Sequence, residues 1–422
     1  MAKSRPTKAP PQPARLAALH LLNGVLIKHR ALEEALDGVS KSVEPRDKAA
    51  AHRIAASVLR RAGSLDAALE PWLRRGPPDE VRNALRLGAA ELLLLGTPAH
   101  AAVNGAVGLV PRPFAGLVNA VLRRVAEAGV AALEGLDAER LDTPGWLYSA
   151  WQQAYGTGVR SIAQAHWLEA PLDLTLAPGC PAPEGGVLLS TGSWRYPAGT
   201  RVTELAGFAD GSFWVQDAAA ALPARLLGVK PGELVADLCA APGGKTAQLA
   251  AAGATVVAVE REARRLDRLR ENLTRLKLTA SVVEADAAEW DAGGQRFDAV
   301  LLDAPCTATG TIRRHPDVPF LKRFKDVATL AGAQRRLLEN AARLLKPGGR
   351  LVFATCSLQP EEGEAHFAIA AELGLVRHPI RPEEVPGLAH ALTRDGGLRT
   401  RPDYWPDKGG MDGFFLGRMM RE

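Results

Sequence analysis

From Gly232 onward the chain alternates short apolar runs with helical stretches. Residues 234–238, 255–260, 280–284, 299–303 and 350–355 read as strands, and the segments around 245–252, 262–276 and 328–345 read as the helices between them. That alternation leaves few folds open. Strands that alternate with helices pair in parallel, because each helix carries the chain back across the sheet, and the helices cover both sheet faces. Ligands of such open sheets bind at the carboxyl ends of the strands, so the chemistry is expected in the residues just past each run.

The first run closes on Asp237 and Leu238 and is followed by Cys239-Ala240-Ala241-Pro242-Gly243-Gly244-Lys245-Thr246, a glycine-bearing turn into a helix. Glycines let a backbone approach a ligand closely, and a helix start offers free N–H groups. The Gly-Gly-Lys-Thr ending lacks the spacing of a P-loop, which moves the expectation away from ATP or NAD and toward a phosphate-free ligand such as S-adenosylmethionine. Glu260 ends the second run 23 residues after Asp237, near the offset of about 20 at which an acidic side chain takes ribose hydroxyls in such folds. Asp286, just past the third run, is placed to receive an adenine amino group.

The fourth run ends in Asp303-Ala-Pro-Cys306-Thr-Ala-Thr-Gly310 and the fifth in Thr355-Cys356-Ser357. Two cysteines are thereby expected side by side at the ligand edge of one sheet. A free cysteine is more often a small buried hydrophobe, but both of these follow a strand instead of lying within one. Thiolate chemistry on a substrate accounts for the pair. Carbon-5 of a pyrimidine is a poor nucleophile, and a thiolate that adds to carbon-6 makes it enamine-like and reactive toward a methyl donor. A base then removes the carbon-5 proton and the thiol is eliminated. A second thiol assists that release, and an acid near ring nitrogen 3 stabilises the adduct. Cys306, Cys356 and Asp303 form this set, although the residues alone do not say which cysteine attacks. The Asn-Pro-Pro-Tyr typical of amino-methyltransferases is missing. Downstream, Arg313 and Arg314 in Thr311-Ile-Arg-Arg-His-Pro-Asp317 are RNA-contact candidates that suit the phosphates flanking a flipped base. His315 takes no assigned role.

Ahead of this module, residues 1–14 hold four prolines and three basic residues and read as a disordered basic tail. Residues 15–140 are helical throughout. Leu16/Leu19/Leu22/Leu26, Ile54/Val58, Val81/Leu85/Leu92 and Phe114/Leu117/Val121/Val125 recur at three- and four-residue steps, with Pro77-Pro78 and Pro111/Pro113 at helix starts. Residues 141–231 read as a small α+β adaptor, with helices near 144–155 and 158–168, short apolar runs at 172–176 and 187–189, and tryptophans expected in packing roles, with a base-stacking platform as the alternative. The catalytic module is 232–422.

The net charge of +5 is unevenly spread. Residues 1–140 hold 20 Lys+Arg against 14 Asp+Glu, and the rest hold 32 against 33. A basic helical module joined to a near-neutral one suits an enzyme that grips a polyanion, and equally suits an ordinary solvated helix surface. The four cysteines lack C-x-x-C spacing, which argues against a zinc ribbon, a disulfide framework or a resident metal. The longest apolar stretch near the start, 16–27, contains His20 and Asn23 and falls short of the ~20 residues of a membrane span. A cytoplasmic, monomeric protein is expected.

Together these motifs resemble the Nol1/Nop2/Sun family of RNA 5-methylcytosine methyltransferases, in its bacterial RsmB (Sun/Fmu) type, which acts on small-subunit ribosomal RNA. The resemblance rests on 237–246, 303–310, 312–317, 354–357 and the terminal Met411-Asp-Gly-Phe-Phe415, and the N-terminal helices resemble the NusB RNA-binding fold. It implies an all-α NusB-like domain, an α+β adaptor and an α/β Rossmann-like methyltransferase domain. It also implies S-adenosylmethionine held by Cys239 to Lys245, Glu260, Asp286 and Asp303, with Cys356 as nucleophile, Cys306 assisting release and Asp303 in the catalytic set. A transfer-RNA target, or an RNA-binding antitermination factor with an inactive methyltransferase half, are the alternatives. Two departures stand out. Glu260 occupies a position where the family often has aspartate, and Leu172-Asp-Leu-Thr-Leu-Ala-Pro178 lacks the family's Arg-x-Asn.

Overall fold

The computed structural model describes residues 13–39 and 43–422. The expected tail therefore lies outside the described residues apart from Pro13 and Ala14, which open the first helix. The chain divides into two compact units. One holds the N-terminal residues through Gln152 with Thr157–Trp167 and His315–Arg323; the other holds Gln153–Gly156, Leu168–Arg314 and Phe324–Glu422.

The first unit is built from α1 (Pro13–Leu26), α2 (Leu32–Asp37), α3 (Pro45–Arg60), α4 (Ala62–Leu69), α5 (Asp79–Leu93), α6 (Ala99–Leu109), α7 (Arg112–Ala128), α8 (Ala138–Leu141), most of α9 (Gly145–Tyr155) and α10 (Gly158–Trp167). Proline marks the starts as expected: Pro45 opens α3, Pro78 precedes α5, and Pro113 lies in the first turn of α7. Asp79 and Glu80 also place negative charge at the positive end of α5. Leu21, Leu22, Val58, Leu85 and Leu122 meet in one apolar core. The expected leucine stripe of α1 is buried at Leu19 and Leu22 and interrupted at its first position. Leu16 is 52% exposed while Arg15 is buried, because the Arg15 guanidinium pairs with Glu91 at 2.9 Å.

The second unit begins with a four-stranded antiparallel sheet, order β2-β3-β1-β4, from β1 (Leu172–Leu176), β2 (Val187–Leu188), β3 (Trp194–Tyr196) and β4 (Phe213–Val215). After α11 (Leu222–Leu227) comes the expected alternation: β5 (Leu234–Leu238), α12 (Gly244–Ala251), β6 (Thr255–Glu260), α13 (Ala263–Leu276), β7 (Ser281–Glu284) and β8 (Phe297–Asp303). The short α14 (Val318–Leu321) lies within the segment that belongs to the helical unit. Then follow α15 (Phe324–Leu344), β9 (Leu345–Thr355), α16 (Glu364–Ala368), β10 (Leu375–Arg377), β11 (Leu398–Arg399) and β12 (Phe415–Arg421).

The strands order as β10-β12-β9-β8-β5-β6-β7, with β11 on β12. The pairs β9/β8, β8/β5, β5/β6 and β6/β7 are parallel, and β12 closes the other side antiparallel to β9. The chain leaves β5 toward β6 and β7 and then crosses to β8 on the opposite side. The switch point lies between β5 and β8, where the loops after those strands diverge and leave a crevice. Register places Asp303 beside Ala354 and Leu238 beside Val259, so the motif loops of β5, β6, β8 and β9 all emerge at one edge.

Candidate active site

The loop after β5 is shaped for close approach. Gly243 has φ +100°, and a Cβ there would sit 3.2 Å from Leu269, so the turn into α12 requires glycine. Arg265 on α13 braces it by donating to Ala241 O at 2.7 Å. Ala240 and Ala241 are buried against Leu269 and Leu273. Asp237 Oδ2 accepts a 2.5 Å hydrogen bond from Thr246 Oγ1, while Oδ1 is buried without a protein partner. Burial is the main cause that raises its pKa to about 7.

Beside this loop lies a cavity of about 210 Å³ lined by Cys239, Glu260, Asp286, Pro305 and Leu337 among others. Glu260 Oε1 accepts from the N–H groups of Arg261 and Glu262 at 3.0 and 3.2 Å. Its Oε2 has no hydrogen-bond partner and lies 3.3 Å from an Arg265 nitrogen. A buried carboxylate oxygen with open acceptor capacity, at the rim of a half-apolar cavity, fits a ribose diol. Asp286 lines the same cavity and is held by the Ala288 N–H at 2.9 Å. Glutamate in place of aspartate at 260 thus still reaches the cavity. Cys239 has φ +61°, and burial followed by the charges of Glu260, Asp303 and Asp237 pushes its thiol up to about 12, so it lines the cavity as a neutral group. Of the residues expected to hold the cofactor, Ala240, Ala241, Pro242, Gly243, Gly244, Lys245 and Asp303 are not among the lining residues, and Lys245 and Asp303 lie close together elsewhere, pairing with each other at 2.7 Å.

The loops after β8 and β9 bring Cys306 and Cys356 together with their sulfurs 3.4 Å apart, both half-buried. Their hydrogen bond, burial, and the charges of Cys356 and Glu362 hold the Cys306 thiol well above its ordinary pKa.

Glu362, a residue the sequence reading missed, fixes both loops. Its carboxylate is fully buried. Oε1 accepts from Thr307 N at 2.9 Å and Gln334 Nε2 at 3.1 Å, and Oε2 accepts from Ser357 Oγ at 2.5 Å and from Thr307 Oγ1. The residue after each cysteine is thus tied to one carboxylate. Glu361 beside it is exposed, and nothing in the Pro-Glu-Glu string tells the two acids apart. The backbone adds two closures: Gly310 N donates to Cys356 O, and Gly413 N donates to Gly310 O at 2.8 Å. A Cβ on Gly310 would lie 1.9 Å from Gly413 O, which explains why a terminal Asp-Gly motif accompanies the Pro-Cys motif. Arg399, also missed, caps the Ser357 carbonyl and pairs with Glu364 at 2.5 Å.

One expectation is corrected. Arg313 is completely buried, pairs with Asp217 at 3.3 Å and Asp412 at 3.7 Å, and donates to Gly409 O. It has no surface to offer a phosphate. Arg314 retains 35% side-chain exposure while its guanidinium holds Asp412 at 2.5 Å. His315 lies in the segment counted with the helical unit, where Asp317 Oδ2 accepts from Leu32 N at 2.9 Å. The missing Arg-x-Asn also has a local answer. Asp173 lies directly across from Arg195 in the β1/β3 register, and the two form a buried bidentate pair at 2.7 Å. Arg195 also donates to Lys408 O and Gly410 O.

Comparison with known proteins accords with this picture. Residues 224–420 match the family model described as 16S rRNA methyltransferase RsmB/F, and residues 12–127 match the NusB family. The chain is 39% identical over 376 residues to a ribosomal RNA small subunit methyltransferase B of Vibrio cholerae, covering 82% of this chain and 86% of that protein. It is 38% identical over 386 residues to the protein of that name from Xanthomonas campestris, covering 84% and 86%. Among solved structures, PH0851 shares the fold over 99% of this chain and 100% of its own, with TM-score 0.75 and 22% identity. A methyltransferase homologue from Pyrococcus horikoshii covers 65% of this chain and 94% of its own, with TM-score 0.56 and 27% identity.

Proposed function

The chain belongs to the RsmB/F family of 16S rRNA methyltransferases, and we propose that it methylates carbon-5 of a cytosine in 16S ribosomal RNA through a covalent adduct with Cys356. The observation that carries this reading is the pair of thiols 3.4 Å apart beside a cavity walled by Glu260 and Asp286. S-adenosylmethionine is the cofactor and supplies an electrophilic methyl group. Cys239, Glu260 and Asp286, which line the cavity, would hold its nucleoside.

Cys356, as thiolate, adds to carbon-6 of the cytosine, and the ring's electron pair becomes available at carbon-5. Asp303, whose carboxyl group lies 2.7 Å from the Lys245 ammonium in the free protein, meets ring nitrogen 3 as an acid: it hands a proton to that nitrogen as the thiolate adds and takes it back when the carbon–sulfur bond breaks. After carbon-5 is methylated, a base takes the carbon-5 proton, the carbon-6–sulfur bond breaks and Cys356 leaves as thiolate. Cys306 assists by donating its S–H to the departing sulfur. Every group named comes from one chain, which supports a monomer as the working unit. A ribosomal RNA substrate supports a cytoplasmic location.

Bisulfite sequencing of 16S rRNA from cells with and without the gene tests the reaction. Loss of one protected cytosine is expected, and unchanged 16S rRNA overturns the assigned substrate. The roles are tested on a denaturing gel. Cys356→Ala abolishes transfer with no protein–RNA adduct, whereas Cys306→Ala accumulates one; the reverse pattern overturns the assignment.

A further inference from the structure

The helical unit carries a groove that the methyl-transfer chemistry does not use. It measures about 720 Å³ and is lined by Trp72, Arg74 and Arg75 on one side and by Leu117, Ala120, Val121 and Arg124 on the other. The second set falls at i, i+3, i+4 and i+7 of α7, a single helical stripe, with Ala120 giving the groove depth. The first set comes from a stretch whose conformation prolines restrict, Pro71 through Pro78. Leu73 is in extended backbone and packs inward on the helical core, leaving Trp72 and Arg74 to face outward.

We propose that this groove binds single-stranded RNA, one base stacking on Trp72 and the adjoining phosphates meeting Arg74, Arg75 and Arg124. The inference rests on the reading of the chain as an RNA methyltransferase and assigns part of its substrate grip to named residues. Trp72 is 41% exposed, and among the described residues it is this unit's one large exposed aromatic. An indole left in water beside an open groove is a stacking platform that any base can use. Charge complementarity selects the occupant: the lining holds three guanidinium groups and no carboxylate. Arg74 and Arg75 are exposed and form no ion pair among the described residues. Arg124 meets only Glu127, at 3.1 Å, with both side chains more than 60% exposed, a contact a phosphate displaces at little cost. Planar cations beside an aromatic face match a chain of bases and phosphates better than an apolar protein helix, which has no use for three exposed arginines. The groove also belongs to the part of the chain with the basic excess.

The test uses the full chain and a fluorescein-labelled single-stranded RNA of mixed sequence, with affinity read by anisotropy across a salt series. Trp72→Ala is expected to weaken binding roughly 5- to 150-fold, the range for loss of one stacked base, and Trp72→Phe to restore most of it. Arg74→Gln with Arg75→Gln is expected to lower the slope of log affinity against log salt by about 1.4, two phosphate contacts on a single strand. The KM for RNA rises in both variants, and S-adenosylmethionine affinity is unchanged. Lys28→Gln with Arg30→Gln removes the same charge from exposed positions outside the groove and is the control. An unchanged affinity and slope in the groove variants overturns the proposal, as does an equal fall in slope in the control. Variants that bind naked RNA normally but methylate an assembled particle poorly identify a protein surface instead, and also overturn it. If the unaltered chain methylates no RNA at all, the underlying reading fails rather than the groove.

Discussion

Glu362→Gln separates the role of geometry from that of the thiols themselves. The native carboxylate takes four donors, Thr307 N, Thr307 Oγ1, Gln334 Nε2 and Ser357 Oγ. Hydrogen bonds to a charged group contribute about 1.5–3 kcal/mol and neutral ones about 0.5–1.5, so neutralising the acceptor weakens each by roughly 1 kcal/mol. The Thr307 and Ser357 hydroxyls can turn to accept from the new amide, which leaves an expected loss of about 2–4 kcal/mol. For a unit of this size that lowers Tm by roughly 5–15 °C. Alanine would strand all four donors and risk unfolding, which makes glutamine the informative change. The loosened groups lie one residue after Cys306 and Cys356, and a displacement near 1 Å at reacting atoms costs about 100-fold. The expected result is kcat lowered at least ~10-fold with the KM for S-adenosylmethionine unchanged, since Glu362 does not line the cavity. The assays are thermal melting and steady-state transfer of labelled methyl groups to RNA. A variant that melts within ~1 °C of the native protein and keeps kcat within about twofold would refute the claim that this carboxylate holds the two loops in register.

Two further outcomes follow from buried charge. Asp173→Arg places two cations on adjacent strands and should destabilise by about 3–5 kcal/mol, whereas Asp173→Arg with Arg195→Asp should recover more than half of that in urea melts; a double variant no better than the single one would show that the pair is not the determinant. For Asp237, folding raises the pKa from an ordinary 3.8 to about 7, so within that window the native state keeps a proton that the unfolded chain releases. Stability is fully present below the window and is lost as pH rises through it. Asp237→Asn should flatten that fall between pH 4 and 7 in paired melts, and an unchanged slope would refute it.

The parallel sheet was readable because each strand is a short apolar run with helical periodicity between runs, and the site followed from the residues just past those runs. The C-terminal strands were not, since β10 and β11 span three and two residues, too short for alternation to register. Nor was the fate of adjacent residues with identical chemistry. Arg313 is sealed among carboxylates while Arg314 reaches partly outward, and Glu362 is enclosed while Glu361 faces solvent. Spacing carries no signal for such choices, because they depend on partners distant in sequence: Asp217 lies 96 residues before Arg313, and Thr307 lies 55 before Glu362. The buried Arg15–Glu91 pair, 76 residues apart, escaped the periodicity of α1 for the same reason.

The two site cysteines are the sharpest instance. On the sequence each follows a strand of the same sheet, and pyrimidine chemistry accepts either as the attacking group. The fold makes them unequal. Cys306 is held well above its ordinary pKa by its bond to Cys356, by burial, and by charge from Cys356 and Glu362. The thiolate is the nucleophile, so the proposed roles require the charge on Cys356 and keep Cys306 as the S–H donor that meets it when it departs. Limited alkylation with iodoacetamide near pH 8, read by peptide mass mapping, should therefore label Cys356 several-fold faster than Cys306. In Glu362→Gln the gap should narrow, because one of the negative charges holding the Cys306 proton is gone. Faster labelling of Cys306 in the native protein would reverse the order of the two roles, and a gap untouched by Glu362→Gln would show that the asymmetry owes nothing to that carboxylate.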